Sequence, residues 1–241
     1  ARATRLAREV LQVLDSYSAE PPLWPVDTAL RPEGAQGVLV RTLASYDAYY
    51  RRWAQNWEFQ ALLKARFAAG DARLGAAFTD LAARVVWPAS RRTDFILDAQ
   101  QMRRRVVDHI PAADRERNVK LSAGGLRDVE FSAQLLQLVH GRTDARLRVR
   151  GTLEALRELS RHGYIGRVEA AALDRDYCRL RVLEHRVQLR RLRRTHILPA
   201  DPAEARVLAR AAGLGTEPGL IEDEWRRIRA EVARLQTAIF Y

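Results

Sequence analysis

From Ser45 to the end of the chain, apolar residues return every three or four positions, which commits most of the molecule to helices that each bury one face. The spacing predicts helices over 71–86, 94–110, 126–140, 152–162, 167–194, 202–212 and 219–240. The start near Asp201 is well marked: Asp as N-cap, Pro202 in the first turn and Glu204 at the third position suit the free amides there, and Gly213 and Gly215 stop the helix. In "YDAYYRRWAQNWEFQALLKAR", Tyr46, Tyr50, Trp53, Trp57 and Ala61 fall on one helical face, predicting an aromatic stripe that packs into the core.

The first 44 residues read differently. "ARATRLAREVLQVL" predicts an amphipathic helix with Leu6, Val10, Val13 and Leu14 on one side. "SAEPPLWP" is a breaker-rich connection. "VDTAL" and "VLVRTL" then predict a short β-hairpin around "RPEGAQG". Asp27 is awkward in such a strand, because its short polar side chain competes for backbone hydrogen bonds.

A chain of 241 residues with 47% apolar content can bury a continuous core as one large domain or two small ones. No stretch of eighteen uncharged apolar residues is long enough to cross a bilayer. One cysteine, Cys178, makes neither an intramolecular disulfide nor a four-cysteine zinc site, which fits a reducing cytoplasm. The chain opens without Met and inside a helical pattern, as expected of a segment of something longer.

A net charge of +11 suggests nucleic acid, but the cations are spread along the whole chain. The densest run, "HRVQLRRLRRTH", interleaves Val187, Leu189 and Leu192 with its charges, as a solvated or partner-facing helix surface does. Only Lys64 and Lys120 are lysines, so these two positions hint at a need for a compact ammonium. The five histidines lack metal-like spacing, and nucleophile-elbow motifs are missing.

"NVKLSAGGLRDVEF" joins a charged linker to a helix through Gly124 and Gly125. A helix starting at Leu126 presents free amides and a positive dipole end beside Lys120 and Arg127, which suits a phosphate or carboxylate; a structural linker explains the glycines equally well. Arg127 and Glu130 sit three apart and can pair on one helix face. Lys64 and Arg66 complement the C-terminal dipole of the aromatic helix, or reach a phosphate.

The succession "VDTALRPEGAQGVLVRTLASYDAYY", "WEFQALLKAR", "GD", "KLSAGGLRDVEFSAQLLQLVHG" and "LRVLEHRVQL…THILP" resembles the bifunctional glutamine synthetase adenylyltransferase/adenylyl-removing enzymes over about Trp24 to Leu214. That family has two similar halves, each a nucleotidyltransferase domain with a helical domain attached. Arg127 in "GGLRDVEF" and the ending from Gln188 to Pro199 resemble the N-terminal, adenylyl-removing half. Two positions depart from the pattern: Ser122 stands for the glycine usual after Lys-Leu, and Glu33 for a frequent aromatic.

The resemblance implies a mostly α chain: the C-terminal remnant of an α+β nucleotidyltransferase domain with its short β-hairpin over 1–66, then a helical-bundle domain over 67–241. It implies Asp27 as catalytic residue and third carboxylate of a two-Mg²⁺ site whose other two carboxylates, from a G-S-D-x-D-type segment, do not occur before it. Arg31, Lys64, Arg66, Lys120, Gly124, Gly125 and Arg127 are the implied binding residues for nucleotide, ATP or ADP, and phosphate. The implied reaction is phosphorolysis of adenylyl-tyrosine on glutamine synthetase, releasing ADP, with little activity from this chain alone. Alternatives are the adenylylating half, or a helical module docking glutamine synthetase or the PII signalling protein. A nucleic acid or membrane partner is not expected. The uridylyltransferase that modifies PII is a sister family with a similar helical domain.

Overall fold

The computed structural model describes residues 2–16 and 26–240, the side chains at 191 and 240 excepted. The chain divides into two compact units, Ala1–Ala89 and Ser90–Tyr241. Among the described residues, no helix is long and apolar enough to cross a membrane.

The first unit opens with α1 (Arg2–Asp15), which buries none of its residues and leaves Leu6, Val10, Val13 and Leu14 exposed. The "SAEPPLWP" connection lies outside the described residues. The hairpin expected over "VDTAL" and "VLVRTL" does not form: residues 26–42 run as turns and one short 3₁₀ segment, Gly34–Gln36. The groups a ladder would use are engaged locally. Asp27 Oδ1 accepts from the Ala29 amide at 2.8 Å, closing an Asx turn. The Arg31 guanidinium donates to the carbonyls of Thr28, Ala35 and Gly37 at 2.7, 2.9 and 2.8 Å, gathering both arms of the loop onto one side chain. A two-stranded hairpin without a third strand is marginal in water, so this side-chain clamp prevails.

Next come α2 (Leu43–Arg52), α3 (Asn56–Leu62) and α4 (Ala72–Val86), with α4 packed on both others. The single aromatic helix of the sequence reading is two helices. Gln55 starts α3 with a capping box in which Glu58 Oε1 accepts from the Gln55 amide at 2.8 Å, so the chain turns at Trp53 and leaves that ring 71% exposed. Tyr46 and Tyr50 remain on the buried side; Tyr50 meets Phe59 edge-on at 5.7 Å and Tyr46 meets Phe78 at 5.5 Å.

The second unit contains α5 (Phe95–Asp108), the single turn α6 (Ala112–Arg115), α7 (Leu126–His140), α8 (Thr152–Arg161), α9 (Arg167–Arg191), α10 (Pro202–Ala211) and α11 (Leu220–Phe240). Eleven residues of α7 are buried, which makes it the central helix, flanked by α8, α9 and α11. Leu126, Val129, Leu156, Leu173, Leu180 and Ile228 form the middle of that core. The Asp201 carboxylate caps α10 by accepting from the Glu204 amide at 2.8 Å, with Pro202 in the first turn. Helix α9 ends three residues before the sequence limit of 194 because Leu192 adopts a left-handed backbone, φ 49°. Among the described residues, the sole β pairing is the antiparallel bridge between Asn118 and Ile197.

Candidate functional site

In the first unit, the Arg31-clamped loop leans over the aromatic side of α2 and leaves a cleft of about 410 Å³. Asp27, Arg31 and Lys64 all line it, although 37 positions separate the first and last of them. Tyr46, Tyr50 and Phe78 form its apolar wall, and Glu58 lies at its edge. Burial pushes both the Tyr46 and Tyr50 phenols up, so the wall stays uncharged at neutral pH. Arg66 is exposed two residues beyond Lys64 and does not line the cleft. The guanidinium of Arg31 is largely engaged with loop carbonyls, and Lys64 is the second cation in the cleft lining.

The carboxylate inventory of this cleft bears on metal binding. Glu58 Oε1 already accepts from the Tyr49 hydroxyl at 3.0 Å and from the Gln55 amide, so it holds the helix start together. Asp27 Oδ1 accepts from the Ala29 amide, and among the described residues no group of three or more His, Cys, Asp or Glu is placed to hold a metal. The described residues therefore do not fit a two-metal site on their own.

The second cluster lies entirely within the second unit. Lys120 Nζ binds Glu184 Oε1 at 3.0 Å, Arg181 bridges Glu184 and Glu130 at 2.7 Å each, and Arg127 closes the chain on Glu130 at 2.9 Å. Arg181 also donates to the Tyr177 hydroxyl, which itself reaches Glu130 at 3.2 Å. The carboxylates are buried and the cations reach solvent, so the face shows Lys120, Arg127 and Arg181 over an acidic floor. Arg181, Glu184 and Tyr177 pair with one another within one turn of α9, but their bonds to Glu130 and Lys120 span about fifty residues or more, which spacing does not reveal.

Gly124 and Gly125 have a packing role here. The amides of Leu126 and Arg127, expected to be free at the start of α7, donate to the Val119 and Lys120 carbonyls at 3.0 Å each. Gly124 N–H donates to Asp128 Oδ2 at 2.6 Å, and Gly125 N–H to Ser122 C=O at 2.9 Å. Ser122 itself is buried with its hydroxyl on the Arg115 carbonyl at 2.5 Å. The loop thus folds back onto its own helix start and occupies the positions an anion would take.

The carboxyl of Glu184 carries a pH signature. Burial pushes it up, but the bonds from Lys120 and Arg181 outweigh this and hold it below its ordinary value of 4.5. A carboxyl depressed in the folded state adds stability above its unfolded value and loses it as pH falls through the folded one. In urea unfolding, Glu184→Gln is expected to be less stable than the parent at pH 7, with the gap narrowing below about pH 4. A gap of constant size down to about pH 3 would contradict this assignment.

Residues 1–81 match the family described as glutamate-ammonia ligase adenylyltransferase, and residues 98–240 the family described as GlnD PII-uridylyltransferase. The chain is 53% identical over 240 residues to the bifunctional glutamine synthetase adenylyltransferase/adenylyl-removing enzyme of Streptomyces avermitilis, covering 99% of this chain and 24% of that protein. The protein of the same description from Mycolicibacterium smegmatis is 52% identical over 248 residues, covering 100% of this chain and 24% of its own length. At 52–53% identity over 99–100% of its length, the chain belongs to the family of bifunctional glutamine synthetase adenylyltransferase/adenylyl-removing enzymes and spans about a quarter of the length of the curated relatives it matches.

Proposed function

We propose that this chain is part of the adenylyl-removing half of such an enzyme, which takes AMP off adenylylated glutamine synthetase by phosphorolysis and releases ADP. The observation that carries the reading is the first-unit cleft, where Asp27 and Lys64 meet against an aromatic wall. A carboxylate, an ammonium and flat apolar rings suit a nucleotide with its phosphates: the rings stack on the base, Lys64 lies on the phosphate side, and Asp27 would supply one oxygen to Mg²⁺ whose other ligands come from beyond the described residues. Arg31 shapes the cleft by fixing the loop that carries Asp27. In this reading the catalytic fold ends near residue 66 and the helical domain starts at 67. The latter presents Lys120 and Arg127 as a second cationic face, while the Gly124–Gly125 loop between them is closed onto its own helix start. Arg127 within "GGLRDVEF" favours the removing half over the adenylylating half. Glutamine synthetase is the substrate protein, PII the regulatory partner and the cytoplasm the compartment.

The test uses the intact protein and its Asp27→Ala variant. Phosphate-dependent ADP release from adenylylated glutamine synthetase is expected to fall by roughly a hundredfold or more, since losing charge stabilisation at phosphorus removes several kcal/mol. ATP-dependent AMP incorporation is expected to persist. Loss of incorporation with release intact would assign the chain to the adenylylating half, and unchanged rates of both would remove Asp27 from the chemistry.

A further inference from the structure

The bridge between Asn118 and Ile197 leaves one side of an extended segment open. Val119 N–H donates to His196 C=O at 3.0 Å and Leu198 N–H to Arg117 C=O at 2.8 Å, so the two bonds flank the bridged pair. In that antiparallel pattern the N–H and C=O of Ile197 itself point to the opposite edge. Among the described residues, the Ile197 amide has only the Thr195 hydroxyl, at a long 3.4 Å, and its carbonyl accepts no hydrogen bond. The pairing is a single antiparallel bridge whose outer edge at Ile197 carries no backbone partner among the described residues.

Ile197 borders a groove of about 300 Å³ between the end of α9 and α10. Its lining is apolar where Val187, Leu198, Pro199 and Leu208 meet, room for one aliphatic side chain. Arg117 and Arg190 line it, Arg190 paired with Glu204 at 3.1 Å, and the exposed Arg193 and Arg194 immediately precede the lining residue Thr195, with no ion pair among the described residues. The nearby carboxylates are engaged: Glu204 with Arg190, and Asp201 with the start of α10.

We propose that this groove docks an extended acidic segment of a partner protein. The segment adds as a third strand on Ile197, sets one apolar side chain into the groove and places carboxylates against Arg193 and Arg194. A backbone donor–acceptor pair beside an apolar slot is the recognition chemistry of a peptide strand, and the cationic rim selects acidic flanks. A nucleic acid offers the charge but neither the amide ladder nor the aliphatic anchor. The surface lies wholly in the second unit and does not depend on the first-unit cleft.

The probe is a fluorescein-labelled heptapeptide, Glu-Glu-Val-Leu-Val-Glu-Glu, titrated with the protein and followed by anisotropy and by amide NMR of the Ile197 signal. Expected are saturable binding with a shift at Ile197, and a roughly three- to tenfold weakening when the central leucine nitrogen of the peptide is methylated and its N–H lost. The double variant Arg193→Glu/Arg194→Glu, at exposed positions without ion pairs among the described residues, is expected to keep its circular dichroism spectrum and to bind the peptide at least several-fold more weakly. Ala200→Trp, which fills the groove from its exposed edge, is expected to do the same without changing charge. No binding at about 1 mM peptide overturns the proposal. So does binding that N-methylation and Ala200→Trp leave unchanged, or that a generic oligonucleotide displaces with equal strength while Ile197 does not shift, since charge alone would then account for it.

Discussion

Replacing Asp128 by alanine is expected to lower the stability of the second unit by about 3–5 kcal/mol, the range for removing one partner of a buried ion pair. Asp128 and Arg103 have 4% and 5% of their side-chain surface exposed, and the Arg103 Nε–Asp128 Oδ1 distance is 2.5 Å. The other oxygen of Asp128 holds the Gly124 amide, and Arg103 also donates to the Ser122 carbonyl at 3.1 Å. One carboxylate therefore ties α5, the 118–125 loop and the start of α7 together. Without it a guanidinium stays buried with no counter-charge and an amide loses its acceptor. Urea unfolding monitored by tryptophan fluorescence reads the change. A loss below about 1 kcal/mol would mean that water reaches Arg103 and that the pair is not isolated from solvent.

The second large effect is expected at Gly124. Its φ of +79° is a left-handed conformation, and a Cβ there would stand 2.1 Å from the Arg229 carbonyl oxygen and 2.7 Å from its Cα. Gly124→Ala adds the left-handed penalty of about 1–2 kcal/mol to an overpacking term of about 1–3 kcal/mol, because both neighbours are backbone atoms of α11. Gly163 supplies the internal control. Its φ is +77°, but nothing lies within 4 Å of a Cβ built there, so Gly163→Ala carries the backbone penalty alone. The difference between the two midpoints in thermal unfolding isolates the close approach. Equal losses would show that the loop moves away from α11 without resistance.

The helical part of this fold was legible because its signals are local. Asp201, Pro202 and Glu204 wrote the start of α10 into four residues, and the same atoms make the cap. The limits of α4, α7 and α11 followed from periodicity for the same reason. The aromatic helix was misread because spacing alone cannot see that Glu58 turns back to cap Gln55, which cuts the pattern in two and expels Trp53. The hairpin failed for a related reason. Alternation describes what a strand would bury, yet the side chain of Arg31 offers the same carbonyls a closer donor set than a lone partner strand does.

The candidate site was legible in part. Asp27, Arg31 and Lys64 could be named from motif resemblance, and the loop brings them to one cleft. Its aromatic wall was visible only as core, since periodicity marks a buried face without saying what it opens onto. In the second unit, Lys120 and Arg127 were flagged by residue type, whereas Arg181 and Glu184, which connect them, emerge only when α9 is laid against α7. A long-range ion network leaves no periodic trace in a single sequence.

The way α11 meets the 116–124 loop bears on how the chain is made. Trp225 Nε1 donates to the Glu116 carbonyl at 2.8 Å across 109 positions, and Arg229 reaches the Glu116 carboxylate across 113. The glycine turn at 124 is shaped to the backbone of that same helix. During synthesis, which runs from the N-terminus, α5 to α10 emerge with this wall of their core open, and the apolar side of α7 stays wet until α11 has left the ribosome. The second unit is therefore completed as a late, all-or-none event, and a ribosome stalled before α11 would display a sticky nascent chain that chaperones can hold.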